Sequence, residues 1–209
     1  MYSSLILAAI FFIWSTLLNF ISGLLVCRSK KLFLFPFFES FMTISFILLW
    51  QTSTHFISDF ILFSALAITL STDLSCMLIS RFVSLYLAPT GIILSFYDLL
   101  AISWLESVIA SCLGYLFFYG INKLFFMIKK QNGIGQGDFD LMALIGAYTG
   151  ILGIWFTVLC GSIIGTICAL VLIAKGKKSL FYIPFGPFLS ISAMIWILFQ
   201  NQVIDTMLY

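Results

Sequence analysis

The stretch that decides the reading is residues 133–150, GIGQGDFDLMALIGAYTG. Its first part is a loop in which Gly133, Gly135 and Gly137 alternate with larger residues. A residue without Cβ can take positive φ and let the backbone lie close against another chain, so these three glycines form a candidate access loop for an extended peptide. The second part, LMALIGAYTG, is an apolar helix-type run in which Gly146 and Gly150 make a small-xxx-small face for close helix packing. Asp138 stands where loop becomes apolar helix. Aspartate is also a good helix N-terminal residue, so capping alone would suit this position as well as chemistry does.

The surroundings of this stretch are those of a membrane. Of 209 residues, 62% are hydrophobic and 9% charged, and the mean hydropathy is +1.17, outside the range of soluble domains. The expectation is an all-α, polytopic integral membrane protein, one embedded domain over 1–209, with lipid as its surroundings. A net charge of +2 leaves no electrostatic footprint for nucleic acid. Cys27, Cys76, Cys112, Cys160 and Cys168 never reach C-x-x-C spacing, so neither a metal site nor a redox motif is written, and no cofactor is expected. Residues 1–26 lack the positive start of a signal peptide and exceed the length of its apolar core, and are read as a retained span.

With about 20 apolar residues needed per crossing, eight segments emerge: 4–26, 37–50, 56–79, 82–97, 99–121, 139–150, 151–174 and 184–199. The sixth and seventh share only the 36 residues 139–174, so the sixth is expected to be short and to turn near Gly150 and Gly153. All ten Lys and Arg fall in four clusters: Arg28, Lys30 and Lys31; Arg81; Lys123, Lys129 and Lys130; Lys175, Lys177 and Lys178. Eight crossings with both termini on the non-cytoplasmic side put every cluster on the cytoplasmic face, whereas six or seven would scatter them. The opposite loops hold Asp59, Asp98 and Asp205 and no basic residue.

Asp73 interrupts an uncharged run from residue 60 to 80. A carboxylate inside such a segment costs a few kcal/mol, about 3, unless it is protonated, paired or wet. Asp73 lies eight residues before Arg81 on a segment approaching the cytoplasm, and Asp138 eight after Lys130 on one leaving it, so both fall at a similar shallow depth. Two carboxyls brought together in a low-dielectric site cannot both ionise; one keeps its proton and the other acts as base. Such a pair can activate water against a peptide carbonyl, with a titration that belongs to the pair. The alternative is two helix-terminal carboxylates bonded to backbone or to serines such as Ser71 and Ser75.

These residues carry a resemblance. From Leu66 to Leu189, and more faintly back to Gly23, the chain resembles the type 4 prepilin peptidase family, membrane aspartic proteases with a GxGD motif that process type IV prepilins and pseudopilins. The most specific stretches are GIGQGDFDLMALIGAYTG and IPFGPFL at 183–189; Gly114, Tyr115 and Gly91 also fit. The resemblance implies that Asp73 and Asp138 are the catalytic pair and that the partners are prepilin or pseudopilin precursors. Three departures stand out. The family commonly has Lys two residues after the GxGD aspartate, where this chain has Asp140. It has an Ile-Pro-Asn or Leu-Pro-Asp turn after the first aspartate, where this chain has Ile79, Ser80 and Arg81. Many members also carry a loop with two C-x-x-C pairs between the first two spans, associated with N-methylation. Here that interval shrinks to residues 27–36, so methyltransferase activity is not expected.

Other residues carry less. His55 with Asp59 and nearby serines has no nucleophile elbow and lies on the outer face. Glu39 suits the first turn of the second segment, and Glu106 is read as an unplaced carboxylate inside the fifth. Gly161 and Gly165 form a second packing face, and Pro184 and Pro187 mark a helix entry near the aspartates. The function expected is a membrane aspartic endopeptidase that removes the leader of prepilin-like substrates at the cytoplasmic boundary. A transporter or proton-conducting protein would use midplane carboxylates between repeats, which are not found here. A non-catalytic pilin-binding scaffold would lose an aspartate, and a presenilin-like enzyme would end with Pro-Ala-Leu, which is not found.

Overall fold

The computed structural model describes residues 9–18, 20, 35–53, 55–175 and 184–208, and every regular element among them is a helix. In order these are α1 (Ala9–Leu18), α2 (Phe35–Thr52), α3 (Phe56–Cys76), α4 (Arg81–Phe96), α5 (Trp104–Lys129), α6 (Gln136–Ala174) and α7 (Gly186–Leu208). The Arg28, Lys30 and Lys31 cluster, residues 27–34, Lys177, Lys178 and Ile183 lie outside the described residues, as do the side chains of Glu39, Ser75, Cys76 and Asp205. Among the described residues, three helical stretches are long and apolar enough to cross a membrane: Phe56–Leu74, Trp104–Lys129 and Gln136–Ala174.

The organising element is α6, and it is not straight. At Gly150 the backbone takes φ 72° and ψ −170°, a conformation open essentially to glycine alone, and two helical limbs meet there. The limbs fold back on each other. Eight residues of straight helix span about 12 Å, yet a Cβ built on Gly146 would sit 2.9 Å from Ile154 Cδ1. The turn expected near residue 150 is therefore made by Gly150, while Gly153 packs against Thr149 and Trp196. The first limb is buried on every side from Asp138 to Gly150, as an all-round apolar helix should be.

Close packing surrounds that limb. Gly114 of α5 rests on the Met142 carbonyl and Gly146 on that of Ala110, and the Ser107 hydroxyl donates to the Ala147 carbonyl at 2.6 Å. On the α4 side, Gly91 lies under the Tyr148 ring, whose hydroxyl is 2.7 Å from that of Thr90. Gly161 and Gly165 of the second limb face Phe188 of α7, at 3.5 Å and 3.3 Å from a built Cβ. By contrast α5 buries only Ser107, Ala110, Gly114 and Phe118 and leaves Leu105, Leu113 and Leu116 exposed, the outward face that a bilayer would cover.

Several segment boundaries differ from the sequence reading: the third, expected to reach residue 79, ends at Cys76, the eighth, expected to end at residue 199, continues as α7 to Leu208, and both ends of the fifth move. The fifth segment was expected at 99–121, but α5 begins at Trp104, where Ser103 accepts the Glu106 N–H at 3.3 Å. Glu106 is thus a first-turn residue of a capped helix. The loop expected over 122–137 is helical to Lys129; Lys130 closes the helix at φ 55°, its N–H donating to the Phe126 carbonyl. Leu124, Phe125, Phe126, Met127 and Ile128 continue the apolar run beyond Asn122 and Lys123. Asn122 itself accepts the N–H groups of Gly133 and Ile134 at 2.9 and 3.1 Å, folding the short loop back onto α5.

Candidate active site

Asp73 arrives in the last turn of α3. The helix stops just after it because Met77 takes a left-handed conformation, φ 54°, and donates its N–H to the Asp73 carbonyl at 2.9 Å. Asp138 arrives in the first turn of α6, three residues after the N-cap Gly135, with its own N–H bonded to the Gly135 carbonyl at 3.1 Å. Both side chains are buried, 4% and 7% exposed, and near enough to interact electrostatically.

The space around them is set by four small or apolar residues. Gly186, the first residue of α7, lies directly on the Asp73 carboxylate and 2.8 Å, from a built Cβ, from Ile79 Cδ1. Gly137 lies against the other side of Ile79, whose Cβ is 2.6 Å from a Cβ built there, and Gly135 lies 3.4 Å from Asp138 Oδ2. Ile79 is therefore a spacer between the loop of one aspartate and the cover of the other. Residues 184–189, PFGPFL, are a helix entry beside Asp73: Pro187 falls in the first turn, where its missing N–H is not needed. The three loop glycines do not use positive φ, since Gly150 alone among the described glycines has it. At Gly137 it is the close approach that matters, not conformational freedom.

The hydrogen bonds bear on the alternatives. Ser71 donates to the Ile68 carbonyl within its own helix, not to Asp73. Asp138 reaches back toward the Gly135 backbone, as an N3 carboxylate does, while its Oδ1 is buried with no hydrogen-bond partner among the described residues. Asp59 lies at the opposite end of the bundle, where it accepts from Ser53 at 2.6 Å and Gln200 at 3.3 Å. It forms no serine-type constellation with His55.

Two features were not legible as part of the site. Tyr115 and Tyr119 hold the Phe139 ring edge-on, at 5.9 and 6.4 Å between centroids, bracing the residue that follows Asp138. And the two local departures from the family pattern meet: Arg81 Nε donates to Asp140 Oδ2 at 2.9 Å. Two buried carboxyls that feel one another, one from each of two helix ends, are the arrangement in which one can hold a proton while the other accepts one.

Membrane-type helices carrying such a pair define a class of intramembrane carboxylate proteins, and the sequence comparisons narrow it. Residues 60–170, more than half of the chain, match the type IV leader peptidase family, and the chain belongs to that family. Among curated relatives, the prepilin leader peptidase/N-methyltransferase of Xanthomonas campestris is 32% identical over 100 residues, 47% of this chain and 35% of the relative. The protein of the same name from Pseudomonas aeruginosa is 32% identical over 104 residues, 49% and 36%. That from Legionella pneumophila is 35% identical over 103 residues, 48% and 36%. The match spans about a third of the length of each relative. No solved structure matches the chain.

Proposed function

We propose that this chain is an aspartic endopeptidase of the bacterial inner membrane that cleaves the leader from prepilin-like or pseudopilin precursors at the cytoplasmic boundary, with Asp73 and Asp138 as acid and base. The observation that carries the reading is the pair of buried carboxyls, on the GxGD loop and at the α3 terminus, whose surroundings share Ile79 as a contact of both Gly137 and Gly186, in a chain from this family. The ionised member takes the proton of a water as it attacks the scissile carbonyl, and the protonated member polarises that carbonyl. An access route for an extended peptide past Gly133 and Gly135, both exposed, fits this reading.

Orientation belongs to the same proposal. Eight crossings, counting the limbs of α6 separately, with both termini on the non-cytoplasmic side, agree with where the described basic residues stand. Arg81 opens α4 beside the Asp73 turn, Lys123, Lys129 and Lys130 close α5, and Lys175 ends the second limb of α6. The far end carries Asp59 and Asp98 instead. Co-expression with a candidate prepilin, followed by the size of the pilin, tests the function; a panel of prepilins that all remain uncut would defeat it.

Two further outcomes are expected. Gly186→Ala places a methyl on the Asp73 carboxylate and against Ile79. Alanine is the better helix former, so the protein should accumulate normally while turnover per molecule falls on the order of tenfold or more. Unchanged cleavage by this variant would show that the covered carboxylate does no work. Separately, the sequence has no cysteine pairs in its 27–36 interval, so the processed pilin should leave this protein unmethylated. A methyl group seen by mass spectrometry only when this chain is supplied would refute that.

A further inference from the structure

We propose that Arg81 and Asp140 form a positioning clamp that fixes the first turn of α6 against the α3–α4 turn and thereby sets the separation of Asp73 and Asp138. The inference rests on reading those two aspartates as the working pair. Asp140 is 1% exposed and Arg81 56%, joined through Nε and Oδ2 at 2.9 Å. The second oxygen of Asp140, Oδ1, is buried with no hydrogen-bond partner among the described residues. Arg81 keeps its remaining nitrogens near water, whereas Asp140 has this one bond.

A buried carboxylate so sparsely partnered adds little cohesion; an apolar side chain would fill the same space without the desolvation. What the pair supplies is direction. The contact of Ile79 with Gly137 between the two segments is apolar, a surface that allows a slip. The ion pair does not, because a guanidinium N–H must point at its acceptor. Along the chain, Arg81 is the residue at which the turn after Asp73 becomes α4, and Asp140 follows Asp138 by two positions. Residues two apart on a helix point to different faces, so Asp140 holds Arg81 while Asp138 faces Asp73. Any slip of that first turn carries Asp138 with it, and a displacement of about 1 Å at a reacting group can change the rate on the order of 100-fold.

The test uses the full chain in membranes and three forms: wild type, Arg81→Asp, and Arg81→Asp with Asp140→Lys, which reverses the pair. Leader cleavage per inserted molecule should fall on the order of 10- to 100-fold in kcat for Arg81→Asp, with KM little changed, and recover most of that loss in the reversed pair. A purely structural role would lower abundance instead and leave kcat per molecule alone. The second measurement needs no activity: with the five native cysteines replaced by serine, cysteines at 73 and 138 should cross-link readily. That yield should drop with Arg81→Asp and return in the reversed pair. A wild-type kcat or an unchanged cross-link yield in Arg81→Asp overturns the clamp while leaving the peptidase reading intact. A wild-type chain that cuts no leader, but whose cross-link follows the pair, overturns the peptidase reading while the clamp stands.

Discussion

Replacing either Asp73 or Asp138 by asparagine is expected to abolish leader cleavage while the protein still accumulates in the membrane. Asparagine keeps the size of the side chain and one acceptor oxygen, so the contacts of Asp73 with Gly186 and of Asp138 with Gly135 survive. What disappears is the proton that acid–base chemistry moves, a contribution on the order of 100- to 10,000-fold in rate. If the pair were only structural, the same changes would relieve buried charge; they would alter abundance and leave each surviving molecule active. Asp140→Asn is the contrast: its oxygen can still accept from Arg81, so cleavage should weaken but persist. The deciding quantity is cleavage normalised to inserted protein, and wild-type activity per molecule in either Asp73→Asn or Asp138→Asn ends the aspartic-protease reading.

The largest effect on the fold itself is expected from Gly150→Ala. Its φ and ψ lie where a side chain costs about 1–3 kcal/mol from backbone strain alone, and a methyl there would come within 2.6 Å of Glu106 Oε1 and 3.1 Å of Ile102 Cγ2. Against a marginal total of about 5–15 kcal/mol, that loss should cut the amount of folded protein several-fold and lower its melting temperature in detergent. Gly120→Ala is the control, since nothing lies within 4 Å of a methyl built there and alanine favours the helix. Equal melting temperatures for the two variants would mean that the reversal at residue 150 is not held by its glycine.

The parts of this architecture that local chemistry dictates were legible before any coordinates. Thirty-six residues are too few for two full crossings, which foretold a short limb and a turn, and the turn falls at a glycine that expectation had named. Equal offsets from Arg81 and Lys130 gave Asp73 and Asp138 a similar depth in the sequence reading; both side chains are buried, one in the last turn of α3 and one in the first turn of α6. The start of α5 was misjudged although Ser103-x-x-Glu106 is a capping box in plain sight; the apolar run Leu99, Leu100, Ala101, Ile102 outweighed it. The end of α5 was misjudged because hydropathy ends a membrane segment where the charges begin, whereas hydrogen bonding carries the helix on to Lys129. The Arg81–Asp140 bond and the Ile79 spacer join residues 59 and 58 positions apart, and no periodicity encodes such pairings. Each of those residues read, by itself, as a weakened family motif.

The cover on Asp73 has a consequence for how the molecule comes into being. Translation delivers Asp73 and then Asp138, but the segment that seats Gly186 on the first carboxylate belongs to the last helix, α7. Until the ribosome has passed residue 186, Asp73 is present without the glycine that covers its carboxylate. The proposed active arrangement is thus complete only once α7 is in place, and a chain cut short before residue 184 would carry both acids without that cover.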